Sequence, residues 1–187
     1  MIVLLNGLSR SGKDTVAGKF VTHGFRHEKI SKNLKQVVCA MFGLSAEEVE
    51  DNRKDQINKT YLVTPRALMK FVGTDVGQRE IQKVLPNWGR TFWIQRLMLD
   101  MKPGEHDYVI SDYRFLHEYI ALQQTFPSCP VVRVRVEPRF HGFTEPHTLD
   151  ETERTLAYDH VIYNKTLSQV YTDIDRLIET LQKKSVL

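Results

Sequence analysis

Short apolar runs alternate with longer amphipathic ones along this chain. Ile2–Leu5 carries no charge and predicts a buried strand. Asp14–His23 predicts a helix, with Gly24 placed to end it. Phe25–Ile30 predicts a second strand, and Ser31 is placed to cap a helix that runs to Phe42 and closes at Gly43. Ser45 with Glu48 has the spacing of a capping box for a short acidic helix. After a polar, irregular stretch over 51–63, Thr64 and Pro65 mark a fresh helix start. The run GTDVGQREI then interrupts that helix and begins another.

A helix over Thr91–Met101 ends before the Pro103-Gly104 turn. Tyr108–Ile110 predicts a third strand, Phe115–Phe126 a helix, and the Val/Arg alternation of Val131–Val136 a strand exposed on one face. Residues 137–150 have no periodicity and predict a long loop. His160–Tyr163 predicts a last strand. Leu167, Val170, Tyr171, Ile174, Leu177, Ile178 and Leu181 fall on one face of a final helix. Strands alternating with helices predict an α/β fold: a parallel sheet covered on both faces.

Composition narrows the class. With 187 residues, 41% hydrophobic and 26% charged, the chain has the make-up of one ordinary soluble globular domain. A net charge of +3 excludes a polybasic nucleic-acid arm and suits a pocket for a polyanionic small molecule. Cys39 and Cys129 have neither metal nor disulfide spacing, so both read as reduced thiols of a cytoplasmic protein. No signal peptide and no apolar stretch of about 20 residues is visible, so no membrane partner is expected.

The chemistry concentrates in GLSRSGKDT. Gly7, Gly12 and Lys13 have the G-x-x-x-x-G-K spacing directly after the first strand and before a helix. Glycines let backbone N–H groups curl around phosphate oxygens, and the lysine adds a point charge. Ser9, Arg10 and Ser11 fill the loop. Where Ser or Thr usually follows the lysine stands Asp14, with Thr15 one place later. Asp14 either helps hold Mg2+ while Thr15 bonds a phosphate, or is a first-turn carboxylate favoured by the helix dipole. The sequence leaves both open.

SGKDT at Ser11–Thr15 resembles the phosphate loop of the deoxynucleoside monophosphate kinases of phages and large DNA viruses. TPRALMKFVGTDVGQRE is similar to that family's substrate region, which implies acceptor-phosphate contacts from Arg66, Thr74, Asp75 and Arg79, with Gln78 as an added residue. Fixed guanidinium groups offset the repulsion between donor and acceptor phosphates. YVISDYRFLHEY has an apolar strand ending in a carboxylate. Asp112, Arg114, Phe115 and Glu118 match the family's D-V-R-F-x-N-E, with His117 departing from it. That match implies Asp112 near the metal or the acceptor and Arg114 near the phosphates.

The same resemblance implies a lid at about 137–153, in which Arg135 or Arg139 reaches ATP and His147, Glu151 and Glu153 match a following segment loosely. It also implies an adenine loop at Asn164 and Lys165. Trp93 is a candidate to stack on the acceptor base, against the plainer reading of a core tryptophan.

Taken together, the resemblance implies a P-loop NTPase fold with a parallel five-stranded sheet, a helical monophosphate-binding insertion at about 31–101 and the small lid. The expected activity is ATP- and Mg2+-dependent phosphorylation of a deoxynucleoside monophosphate, part of deoxynucleotide biosynthesis. Rivals are another small-molecule kinase, such as a dephospho-coenzyme A or phosphomevalonate kinase, and a non-catalytic nucleotide-binding module. Expected partners are the two small-molecule substrates, without nucleic acid and with room for a homodimer. The expected location is the cytoplasm, that of the host if the protein is viral.

Overall fold

The computed structural model describes residues 1–50, 52–138 and 156–184. These fall into two compact units: Met1–Lys29 with Lys102–Leu187, and Ile30–Met101.

The first unit is built on β1 (Ile2–Asn6), which is buried along its entire length. It is flanked by β3 (Tyr108–Ile110) and β4 (Val131–Glu137), and the sheet is completed by β2 (Arg26–Glu28) and β5 (His160–Tyr163). The strand order is β2-β3-β1-β4-β5, and every pairing is parallel. Odd positions of β1 and even positions of β4 face α1 (Lys13–Thr22) and α6 (Leu167–Lys184), where Val3, Leu5, Val134 and Val136 pack with Phe20 and Ile174. Ile2 and Leu4 are buried on the opposite face, and α5 (Leu116–Thr125) packs against β4.

β2 is shorter than the run Phe25–Ile30 suggests. Phe25 leaves the strand to meet Phe20 edge-on, with ring centroids 5.1 Å apart. The arginines alternating along β4 are not exposed as expected. Arg133 is held by Asp159 at 3.1 Å, and Arg135 by Glu137 at 2.9 Å. Their guanidinium groups lie over the rings of Tyr119 and Tyr158, which Val–Arg alternation alone does not reveal.

The second unit contains α2 (Ser31–Phe42), α3 (Pro65–Lys70) and α4 (Phe92–Met98) joined by short helical turns. The Ser45–Glu48 capping box forms, and Thr64 caps α3 by accepting from the Ala67 N–H at 3.2 Å. Ser31 does not cap α2; it is its first helical residue, preceded by a helical Ile30. The polar stretch before α3 is ordered by Asn58, whose side-chain oxygen accepts from the N–H groups of Thr60 and Tyr61.

The expected break at GTDVG is absent. The chain runs on from α3 as a π-helix over Phe71–Arg79. The two glycines act in packing. A Cβ on Gly73 would lie 2.9 Å from Leu34, and one on Gly77 2.7 Å from the Trp93 indole nitrogen, which donates to the Gly73 carbonyl at 2.9 Å. The wider turn takes one residue more than an α-helical turn, in the stretch that carries the added Gln78.

Gly77→Ala should therefore destabilise the protein by about 1–3 kcal/mol, because the rigid indole cannot yield to the new methyl group. Gly18→Ala, in mid-α1 with nothing within 4 Å of its Cβ, should stabilise by up to about 1 kcal/mol. Urea unfolding of both variants checks the pair; equal shifts would remove the packing argument.

Candidate active site

The site starts where β1 ends. The chain leaves Asn6, turns through 7–12 and enters α1 with Gly12 as N-cap at φ 96°. Arg10 also has positive φ, at 61°. A Cβ on Gly7 would lie 2.4 Å from the Val136 carbonyl and 2.5 Å from Ser11 Oγ. One on Gly12 would lie 2.4 Å from the Asn164 amide nitrogen. Both glycines are therefore required by space, and Gly12 by conformation as well.

Lys13 folds back over the loop. Its ammonium donates to the Gly7 carbonyl at 2.7 Å and the Leu8 carbonyl at 2.6 Å. Ser11 is completely buried, and its hydroxyl has no hydrogen-bond partner. A cradle that any Cβ would fill, an orphaned hydroxyl inside it, an ammonium across its mouth and a helix N-terminus behind it together fit a phosphate group. Ser9, Arg10, Asp14 and Thr15 are exposed around the rim. A central parallel strand entering this loop, in a sheet ordered 2-3-1-4-5, decides the architecture.

This is a P-loop fold.

Around the loop the fold gathers three groups of side chains. The first centres on Asn6, only 4% exposed. Its amide donates to the Tyr113 carbonyl at 2.9 Å, between Asp112 and Arg114. Its oxygen accepts from Arg135 Nη1 at 2.5 Å and from the Tyr158 hydroxyl at 3.1 Å. Arg135, proposed from sequence as a phosphate contact, thus spends two of its donors on Asn6 and Glu137.

The second group surrounds Asp14. Its carboxylate pairs with Lys29 at 2.9 Å and accepts from the Ser111 hydroxyl at 3.3 Å. Ser111 Oγ in turn lies 2.7 Å from His27 Nε2. Partial desolvation works against ionisation of Asp14, but Lys29, His27 and Ser111 outweigh it and hold the carboxyl below its usual range. His27 is pushed down by desolvation and by Lys29, against the pull of Asp14, Asp112 and Glu28. Asp14 and Asp112 therefore both act on one imidazole at the end of the sheet. Two carboxylates beside a phosphate cradle form a donor set that fits Mg2+, which takes one or two carboxylates and otherwise phosphate and water oxygens. No cluster of three or more potential ligands occurs among the described residues.

The third group is the start of α5. Glu118 accepts from the backbone N–H groups of Arg114 at 2.9 Å and Phe115 at 3.0 Å, fixing the turn that leaves Arg114 exposed and Asp112 half-buried. Burial raises the Glu118 pKa to about 7 despite those two bonds.

Other candidates fall elsewhere. Asn164 is committed to the loop, donating to the Ser11 carbonyl at 2.9 Å, while Lys165 lies 5.9 Å from the Tyr163 ring centre. In the helical unit, Arg66 forks onto Asp55, with Nη2 donating to Oδ2 at 3.0 Å. Arg79 pairs with Asp75 at 3.0 Å, and Thr74 and Asp75 are half-buried. Trp93 is corrected. It is 8% exposed, packed on Gly77 with its N–H satisfied, so its ring belongs to the core and not to a base-stacking surface. Arg139, His147, Glu151, Glu153 and nearly all of the expected lid lie outside the described residues. Sequence reasoning missed Asn6, His27, Lys29, Ser111 and Tyr158. Only Asn6 carries a signal of its own, as a polar residue ending an apolar strand just before Gly7.

The chain is 24% identical over 187 residues to a protein of Acanthamoeba polyphaga mimivirus named "Putative deoxynucleotide monophosphate kinase", spanning 93% of this chain and 94% of that one. The resemblance read from the motifs is thus matched by a large-DNA-virus relative along nearly the entire chain. No protein-family model matches. Similar solved structures include an APS kinase of Mycobacterium tuberculosis (TM-score 0.46, 14% identity, 95% of this chain and 96% of that one). Another is the thymidylate kinase of Candida albicans (TM-score 0.46, 12% identity, 97% and 92%). No helix among the described residues is long and apolar enough to cross a membrane.

Glu118 generates a prediction. Its folded pKa is raised from 4.5, so its contribution to stability is fully present below pH 4.5 and is lost as pH rises through about 7. Glu118→Gln keeps an oxygen that can accept both N–H groups and cannot ionise. Relative to the variant, wild type should lose on the order of 3 kcal/mol of unfolding free energy between about pH 4 and pH 8. Parallel stability–pH curves would show that folding does not raise the Glu118 pKa.

Proposed function

We propose that the protein transfers the γ-phosphate of ATP to a deoxynucleoside monophosphate, yielding ADP and the deoxynucleoside diphosphate. The observation that carries this reading is the phosphate cradle of Gly7, Ser11, Gly12 and Lys13 at the mouth of the central strand. The choice of acceptor is supported by the name of the mimiviral relative and by the motif resemblance.

An oxygen of the acceptor phosphate attacks the γ-phosphorus, and the bond to the β–γ bridging oxygen breaks in line, so no covalent enzyme intermediate is needed. The Lys13 ammonium exchanges the Gly7 and Leu8 carbonyls for phosphate oxygens and stabilises the charge of the transferring group. The loop N–H groups and the Ser11 hydroxyl hold the donor phosphates. Asp14 and Asp112 are the residues assigned to Mg2+, which when bound supplies charge neutralisation between the two polyanions. Arg114, exposed on its fixed turn, is assigned to the phosphates, while Arg135 braces the sheet end through Asn6. In the helical unit Arg66, Thr74, Asp75 and Arg79 are assigned to the acceptor, with Asp55 presetting the Arg66 fork.

ADP release should depend on an added deoxynucleoside monophosphate. A panel of deoxynucleotide and ribonucleotide monophosphates, dephospho-coenzyme A and phosphomevalonate checks it. Turnover only with one of the last two would move the protein to another kinase class, and none with any acceptor would make it a binding module. Lys13→Ala should lower kcat by about a hundredfold or more while the circular dichroism spectrum is retained.

Asp14→Asn separates the two readings of that residue. With Asp14 on the metal, the variant needs more Mg2+ for half-maximal rate, and excess Mg2+ restores much of the activity. Superimposable Mg2+ titrations would leave Asp14 as a helix-dipole residue paired with Lys29.

A further inference from the structure

In the helical unit, three cations converge on the stretch before α3. Lys35 of α2 pairs with Glu50 at 2.6 Å. The Lys54 backbone N–H bonds to the Glu50 carbonyl at 3.3 Å, and the next residue, Asp55, receives the Arg66 fork. Lys54 is thus joined through its backbone to Glu50 of one ion pair and adjoins Asp55 of the other in sequence, within electrostatic reach of both Lys35 and Arg66. Its side chain is half-buried, and its ammonium makes no hydrogen bond or ion pair among the described residues. Desolvation first, then Arg66 and Lys35, push its pKa down, against Asp55 and Glu50.

A half-buried ammonium beside two like charges, with no carboxylate of its own, is costly unless an anion joins it. Two carboxylates in the same cluster are already spent. Glu50 anchors Lys35, and Asp55 accepts two donors of Arg66. They fix the cations in place and leave Lys54 as the charge that a ligand must satisfy. An Arg fork beside two ammonium groups suits a tetrahedral dianion, since the guanidinium bonds it directionally and the lysines add point charge.

From this geometry we infer that Lys35, Lys54 and Arg66 form a binding site for a terminal phosphate dianion, with Lys54 as the central ligand. The inference rests on the proposed function for its source: the dianion is the phosphomonoester of the acceptor. It adds Lys35 and Lys54 to the acceptor residues and places their contacts on phosphate rather than on base or sugar.

The test is calorimetric binding to the full-length protein. The probes are deoxynucleoside monophosphates, the same nucleosides without phosphate, inorganic phosphate and ATP, each against wild type, Lys54→Met and Lys54→Arg. Lys54→Met should weaken monophosphate binding at least tenfold while leaving ATP within about twofold, and Lys54→Arg should recover most of the loss. Inorganic phosphate bound as tightly as the nucleotides, and lost in the same variant, upholds the site and makes free phosphate its source. Monophosphate affinity unchanged in Lys54→Met, or nucleosides bound as tightly as their monophosphates, overturns it. Binding that is lost in Lys54→Met in a protein that releases no ADP with any acceptor leaves the site standing and removes the kinase reading instead.

Discussion

The carboxamide of Asn6 is the interaction on which the rest of the site depends. A buried amide at the end of an all-apolar strand must be satisfied on both atoms, or it costs the strand its stability. Here it is satisfied by three segments: the Tyr113 carbonyl from the turn after β3, Arg135 from β4, and Tyr158 from the approach to β5. One side chain therefore sets the mutual positions of the phosphate loop, the Asp112–Arg114 turn and the end of β4. Asn164 repeats the device on the far side of the loop by bonding the Ser11 carbonyl. The cradle is braced by amides, which keep their hydrogen bonds whatever the charge of the ligand.

Much of the fold was legible because its elements follow strong periodicities. The apolar run at Ile2, the one-sided final helix and the Thr64-Pro65 start all formed where the pattern placed them. The phosphate loop was legible because glycines at fixed spacing have few other uses. What escaped depended on tertiary contact. Gly73 and Gly77 look like breakers in sequence, yet serve the approach of Leu34 and Trp93. The arginines of β4 look solvated, yet are enclosed by Asp159, Glu137 and tyrosine rings. His27 and Ser111 are 84 positions apart and meet only because β2 and β3 are neighbours.

Charge is handled differently in the two units. In the sheet unit, most groups beside the loop are already neutralised: Asp14 by Lys29, Arg133 by Asp159, and Glu118 by burial that favours its protonated form. In the helical unit, the Arg66–Asp55 pair is exposed on both sides, and a carboxylate exchanged for a phosphate costs little there.

The sheet also has a consequence for how the chain acquires its structure. β2 is three residues long, lies at the sheet edge and, among the described residues, pairs only with β3. The polypeptide between those two strands contains the entire helical unit, so their pairing closes the longest crossover in the sheet. Loop-closure entropy makes such a pairing late and its reward small. Amide protons of Arg26–Glu28 should then be among the first of the sheet to exchange with solvent, while those of β1, paired on both sides, should be among the last.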